Sequence, residues 1–251
     1  MIKNTIKIAL VGQPNVGKSM LINSISNARL KVGNFSGVTV SKEQVFFDYK
    51  NFHIEIVDLP GAYSLNDYTI EEKVTKDFLN NEKYDIILNV LDSTNLQRNL
   101  LLTAELLTLD KKMIIALNMS DEAEKESILI DEIQLSKILG KPCIKTSAAK
   151  KSGITKLLDE ILLKFQSQKV PSKFFFSNVI EEEIENISRV LEENKYETTE
   201  TYRQISLGLL KENKNIYKQF HDEPIWIKIQ PILTEAFEHL FIHFNSKNIK
   251  D

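Results

Sequence analysis

The stretch Gly12-Gln-Pro-Asn-Val-Gly17-Lys18-Ser19 sets two glycines, a lysine and a hydroxyl at the spacing of a phosphate-binding loop. The glycines let the backbone turn tightly enough for its N–H groups to wrap phosphate oxygens. Lys18 adds a mobile cation over β and γ phosphates, and the Ser19 hydroxyl is a ligand for Mg2+. The short apolar run Ile6 to Val11 precedes the loop and a helical pattern starts at Lys18, which is the context this chemistry needs. Further segments complete the set. Asp58-Leu59-Pro60-Gly61 follows an apolar run, so Asp58 falls at the carboxyl end of a strand, where a carboxylate holds Mg2+ through water. Asn118-Met119-Ser120-Asp121 follows another run, and Asp121 can accept from the two donors on guanine's Watson–Crick edge. Adenine has no donor at its ring nitrogen and would leave that carboxylate partly unpaired. Thr146-Ser147-Ala148 can present a backbone N–H to guanine's carbonyl oxygen, and Thr39, in Gly37-Val38-Thr39, lies in a loop long enough to fold over a γ-phosphate.

Singly, these segments have plainer readings: a Pro-Gly turn at 58–61, a helix N-cap pair in Asn118 and Asp121, a cap in Ser147, a strand starter in Thr39. Their order and their placement at strand ends, together with the phosphate loop, select the nucleotide reading. The candidate contacts are Gly12, Gln13, Pro14, Asn15, Val16, Gly17, Lys18, Ser19 and Met20 in the loop. To these are added Gly37, Val38 and Thr39; Asp58, Leu59, Pro60 and Gly61; Asn118, Met119 and Asp121; and Thr146, Ser147 and Ala148. Ser19, Thr39 and Asp58 are the candidate Mg2+ ligands, and Asn15, Lys18, Thr39 and Gly61 the candidate catalytic positions.

Short β-branched runs at 6–11, 44–49, 53–57, 86–91, 113–117 and 144–145 must position these residues. They alternate with amphipathic helical patterns at 18–28, 70–80, 95–109, 131–139 and 153–166. Only Lys50 to Phe52 separate the second and third strands, which predicts an antiparallel hairpin; the other strands need helical crossovers and hence pair in parallel. The expected fold is α/β, with a mixed, mostly parallel sheet and helices on both faces over residues 1–168. A small all-α helical domain follows at 169–251, with helical patterns near 177–194, 199–211, 213–220 and 225–244, the last opening on Pro224.

With 251 residues, 42% hydrophobic and 27% charged, the chain is ordinary globular composition, and a disordered, collagen-like or disulfide-scaffold protein is excluded. The formal charge of −3 leaves no broad basic field for a nucleic-acid backbone, and from residue 171 onward 10 Lys/Arg stand against 14 Asp/Glu. Cys143 is the single cysteine and cannot form an internal disulfide, in keeping with a reducing compartment. The apolar run near the N-terminus is too short for a signal-peptide core, and no stretch approaches the ~20 apolar residues of a membrane span. The chain as written is expected to be soluble.

Over residues 5–166 this motif set resembles the small GTPase superfamily. Three segments narrow the resemblance: Gln13-Pro14-Asn15, Lys31-Val-Gly-Asn-Phe-Ser-Gly-Val-Thr39-Val in the first switch, and Asp58-Leu-Pro-Gly-Ala-Tyr-Ser-Leu-Asn-Asp-Tyr-Thr-Ile-Glu-Glu72 in the second. Together with Asn118-Met119-Ser120-Asp121 and, more loosely, Tyr202-Arg-Gln-Ile-Ser-Leu-Gly-Leu-Leu-Lys211, they resemble the cytosolic N-terminal part of the bacterial ferrous iron transport proteins, FeoB. The resemblance implies GTP and GDP as ligands, Mg2+ as cofactor, slow GTP hydrolysis to GDP and phosphate, and a helical bundle that slows GDP release. It also implies a membrane permease domain as partner in the full-length protein, a place at the cytoplasmic face of the bacterial inner membrane, and a possible homo-oligomer. Potassium activation belongs to the same implication, with Asn15 and the carbonyls of Gly33 and Phe35 as ligands. A monovalent cation between α and γ phosphates would stabilise developing charge as an arginine finger does.

Two positions depart from common patterns, the first from GTPases at large though the resembled family tolerates it, the second from that family. Met119 stands where most GTPases carry a lysine whose stem packs on the base, so modest affinity is expected; Ser36 replaces the proline common before Gly-Val-Thr. Ala62 stands where Ras-like enzymes carry the water-orienting glutamine, so backbone groups or a partner must do that work and the unassisted rate should be slow. Glu71 and Glu72 read most simply as acids favoured by a helix N-terminus, His239 and His243 as ordinary helix faces, and Cys143 as a small core residue. The alternative function is a ribosome- or RNA-associated GTPase with a helical appendage. The acidic tail and its lack of an aromatic-basic platform argue against it.

Overall fold

In a computed structural model, residues 4–25, 29–35, 38–66, 68–168, 173–198 and 200–244 are described. The chain divides into two compact units, Met1–Ser172 and Lys173–Asp251.

The first unit is built on a seven-stranded sheet in the order β2-β3-β4-β1-β5-β6-β7. The strands are β1 Asn4–Gly12, β2 Arg29–Asn34, β3 Ser41–Tyr49, β4 Phe52–Asp58, β5 Ile86–Asp92, β6 Met113–Asn118 and β7 Cys143–Lys145. β1 pairs in parallel with β4 and β5, and β5, β6 and β7 continue in parallel. β3 and β4 form the antiparallel hairpin expected from their short connection. The helices are α1 Lys18–Asn23, α2 Ile70–Asn81, α3 Leu96–Leu107, α4 Ser120–Lys125, α5 Glu132–Leu139 and α6 Ile154–Gln166. Local chemistry starts them: Thr69 caps α2 by accepting from the Glu72 N–H, and Asp131 caps α5 by accepting from Ile133 and Gln134.

β5 and β6 are apolar along nearly their whole length because the sheet buries them on both faces. On one face Ile86, Leu88, Val90, Ile114 and Ala116 join Ile6, Ile8, Leu10, Ile54, Ile56, Leu157 and Ile161 in one core. Because β1, β4, β5, β6 and β7 all run the same way, their carboxyl ends share one rim of the sheet. Gly12, Asp58, Asn118 and Thr146 stand on or just beyond that rim.

The structure corrects the expected elements in three places. Arg29–Asn34 is an edge strand, antiparallel to β3, rather than part of a free loop. The first helix ends at Asn23 rather than 28, and Ser120–Lys125 forms a short helix that the sequence reading left out.

The second unit contains α7 Asn178–Glu193, α8 Tyr202–Leu210, α9 Lys214–His221 and α10 Trp226–Phe244, close to the expected helices. Pro224 lies in the turn ahead of α10, and the proline inside that helix is Pro231. Ile187, Leu191, Leu209, Leu210, Phe220, Ile229 and Ala236 are at its buried centre. Arg203 grips Glu181 with two hydrogen bonds of 2.6 and 2.7 Å and donates to the Phe174 carbonyl at 2.9 Å, fixing the segment that leads into α7. His239 is paired with the buried Glu183 at 2.9 Å, which agrees with its reading as a helix-face residue rather than a metal ligand.

Candidate functional site

The loop from Gly12 to Ser19 joins β1 to α1. It turns at Asn15 (φ 67°) and Gly17 (φ 84°), both left-handed. At Gly17 a side chain would suffer twice, from the backbone angle and from a Cβ placed 2.5 Å from Asn118 Nδ2. Val16 is buried, Asn15, Ser19 and Met20 are exposed, and Pro14 packs against Gly61. The Gln13 side chain turns away and donates from Nε2 to the Arg98 carbonyl at 2.7 Å, so only its backbone remains for a phosphate.

Lys18 reaches back to the Gly12 carbonyl at 3.3 Å, and the Ala62 N–H donates to the same oxygen at 3.3 Å. Burial pulls the Lys18 ammonium below the usual lysine range, against the attraction of Asp58. Burial likewise pushes Asp58 up to about 6, with Lys18 opposing and Glu43 adding to the rise. One oxygen of Asp58, Oδ1, is buried with no hydrogen-bond partner. A buried acceptor on a carboxylate is costly to leave orphaned, and a hard cation or its bound water answers it. The Asp58 side chain therefore fits the Mg2+ that the motif implies, with the Ser19 hydroxyl exposed at the start of α1 as a further oxygen donor.

Asn118 ties the two halves of the site together. Its Nδ2 donates to the Val16 carbonyl at 2.9 Å, and its Oδ1 accepts from the Ala148 N–H at 3.1 Å and the Thr146 hydroxyl at 3.4 Å. Asp121, 8% exposed, sits in the first turn of α4. A hydrogen bond from Ser147 holds its carboxyl below the usual carboxylate range, and Lys150 Nζ lies 3.8 Å away. It is therefore an ionised acceptor at neutral pH. Met119 takes a left-handed turn (φ 58°), and its methyl carbon stands 3.4 Å from where a Cβ on Gly17 would lie. The thioether thus packs on the phosphate loop.

The amides expected to meet a base are already engaged: Thr146 N donates to Leu117 O, Ser147 N to Ser152 O, and Ala148 N to Asn118. A base carbonyl would take the Ala148 N–H from Asn118, a contact that spacing alone does not reveal.

The first switch is arranged differently from the expected lid. Gly33 pairs with Lys42 in the β2–β3 hairpin, and Phe35 is buried with its ring edge-on to Phe78. The Phe35 carbonyl accepts from the Val38 N–H at 3.4 Å, and its own N–H donates to the Val40 carbonyl. Thr39 is exposed and Val38 half-buried; Ser36 and Gly37 lie outside the described residues. The second switch is pinned from behind. Glu72, buried in α2, accepts from the Ser64 N–H and hydroxyl and from the Tyr68 N–H. Glu105 of α3 accepts from the Leu65 N–H. Glu72 is therefore more than a dipole-favoured acid. Leu59 donates to the Leu10 carbonyl, and Pro60 accepts from the Thr75 hydroxyl.

Residues 6–161 match the family described as Ferrous iron transport protein B. The chain belongs to that family. It is 53% identical over 176 residues to the Fe(2+) transporter FeoB of Campylobacter jejuni, covering 70% of this chain and 29% of that protein. It is 58% identical over 180 residues to the Fe(2+) transporter FeoB of Helicobacter pylori, covering 68% and 28%. The chain thus spans less than a third of the length of these curated relatives. Among solved structures, the cytosolic domain of the T. maritima FeoB iron transporter in a GDP form superposes with a TM-score of 0.80 at 30% identity, covering 96% of this chain and 97% of that one. The same domain in its GMPPNP form gives 0.77 at 30% identity, covering 95% and 96%. The fold is therefore that of the family's N-terminal P-loop GTPase region, and the family match favours the transporter reading over the RNA-associated one.

Proposed function

We propose that the chain binds GTP and GDP and hydrolyses GTP slowly, as the nucleotide-responsive cytoplasmic part of a ferrous iron transporter. One observation carries this reading: Asn118 fixes the phosphate loop to the segment beside an ionised, nearly buried Asp121. In this reading a phosphate cradle and a purine-selecting acceptor are thereby held together before a base arrives. The relatives carry the transport reading, and the permease partner, the cytoplasmic membrane face and self-association belong to it. No helix among the described residues is long and apolar enough to cross a membrane.

In this reading the loop amides from Asn15 to Ser19 face the β-phosphate, and Lys18 leaves Gly12 to meet β and γ oxygens. Ser19, Asp58 and, once the first switch rearranges, Thr39 would hold Mg2+, which neutralises charge on the β and γ oxygens. Asp121 accepts from the guanine ring and exocyclic N–H groups, Ala148 donates to its carbonyl, and Met119 lies between the base and Gly17. The Ala62 side chain can neither donate to nor accept from water; in this reading backbone groups at Gly61 and, once the first switch rearranges, at Thr39 would orient it. Asn15, exposed at the loop's left-handed turn, is the proposed K+ ligand. The carbonyls of Gly33 and Phe35 join it only if the β2–β3 turn opens, since that of Phe35 accepts a hydrogen bond here.

Calorimetry tests the core of this reading: GTP and GDP should bind and ATP should not, and equal heats for ATP and GTP refute it. Hydrolysis in K+ against Na+, with Asn15→Ala alongside, tests the cation. A wild type indifferent to the two cations removes Asn15 from that role.

A further inference from the structure

Glu43 is absorbed by none of the roles above. It lies in β3 directly opposite Asp58 in β4. Residues directly opposite in an antiparallel pair project from the same face with Cβ atoms about 4.5–5.5 Å apart, and like charges there repel. On its other side Glu43 faces Val32 of β2, an apolar side chain that offers it no hydrogen bond. Among the described residues the Glu43 side chain makes no hydrogen bond or ion pair, and its charge adds to the pressure on Asp58, whose Oδ1 is buried without a partner. Two carboxylates therefore face one another, with Lys18 answering Asp58, in a segment where nothing in the packing asks for a second acid. Mg2+ keeps several waters and is bound through one or two carboxylates plus phosphate oxygens. A carboxylate one strand away from a ligand orients such water, and outer groups of this kind commonly change metal affinity about 10-fold or more.

We propose that Glu43 is a positioning residue of the magnesium site, accepting from a water on the cation that Asp58 and Ser19 hold. The inference rests on the guanine-nucleotide reading. It carries a signature of opposite sign in two conditions. With Mg2+ present, Glu43 strengthens retention of the diphosphate; without Mg2+, its bare charge beside the phosphates weakens it.

The test is release of a fluorescent N-methylanthraniloyl-GDP from the full chain, followed from EDTA through millimolar Mg2+. Glu43→Gln should raise the Mg2+ concentration for half-maximal slowing of release threefold or more, with release in EDTA slower than in the wild type. Glu43→Asp should fall between. Glu82→Gln, the same charge change at the exposed end of α2, should follow the wild-type curve. A Glu43→Gln midpoint that coincides with the wild type overturns the inference, as does an equal shift in Glu82→Gln, which would make it a field effect. A wild type that retains no GDP in either condition refutes the nucleotide reading itself, and this inference with it.

Discussion

Replacing Asn118 by alanine should destabilise the first unit before any nucleotide is added. The side chain is 1% exposed, and its amide serves both the Val16 carbonyl and the Ala148 N–H. Truncation removes both bonds and strands both backbone groups; the 3.4 Å contact from Thr146 adds little. A buried group left unsatisfied costs about 1–3 kcal/mol. Two of them, with some relief from water entering the space by the exposed loop, amount to about 2–4 kcal/mol. For a unit the size of Met1–Ser172, each kcal/mol moves Tm by roughly 2–4 °C, so the midpoint should fall by about 5–15 °C. Thermal unfolding of nucleotide-free protein reads this directly. Asn118→Asp should lose as much, because the group facing the Val16 carbonyl changes from donor to acceptor. A nucleotide-free Asn118→Ala that melts within about 1 °C of the wild type would show that the amide is no clamp, and the proposed rigid link between phosphate and base sites would fall with it.

Gly153 opens α6 at φ 76°, and a Cβ there would run into the Lys145 carbonyl; Gly153→Ala should cost about 3–5 kcal/mol, measured by urea unfolding. Asp58 carries a proton up to about 6 in the folded protein against 3.8 for its ordinary value. Its contribution to stability is therefore complete below about pH 4 and is lost as pH rises through 6. At 1.36 kcal/mol per unit, and reduced for partial exposure, nucleotide-free Asp58→Asn should gain about 2 kcal/mol on the wild type between pH 4 and 7, read from paired melts. Arg203→Met takes the ion-pair partner from Glu181, which keeps only the Phe176 N–H, and strips the Phe174 carbonyl of its donor; a loss of about 2–3 kcal/mol in the second unit is expected, with faster tryptic cleavage after Lys173. Glu183 raises the pKa of His239, so this pair supports the second unit fully below pH 6.5 and less as pH rises past the raised value. His239→Gln should flatten that slope in a pH series of melts.

The chemistry of the site was legible in the sequence because it is local: the loop's spacing is a backbone requirement, and Asp58, Asn118 and Asp121 announce themselves by following apolar runs. What stayed hidden depends on contacts between segments. Lys31, Val32, Gly33 and Asn34 are all exposed, and the alternation of Arg29 to Val32 spans only four residues before Gly33, too short a run to announce an edge strand. Ser120–Lys125 carries one apolar residue and hence no helical period. Gln13 sits inside the motif yet faces α3, and Glu72 and Glu105 pin the second switch from residues far along the chain. The engagement of the Ala148 N–H with Asn118 is likewise a three-dimensional fact. The helical unit was readable in outline because its buried stripe keeps helical spacing, as in Ile184, Ile187 and Leu191.

The oxygen of Gly12 accepts from the ammonium of Lys18 and from the N–H of Ala62 at once. The lysine is thus already solvated by the very loop it serves, so an arriving pyrophosphate exchanges one acceptor for another and gains only the difference. In the proposed reading, where Lys18 leaves for phosphate oxygens, the Gly12 carbonyl keeps the Ala62 N–H at the base of the second switch as its partner. One carbonyl oxygen thus joins the loop's lysine to the start of the second switch.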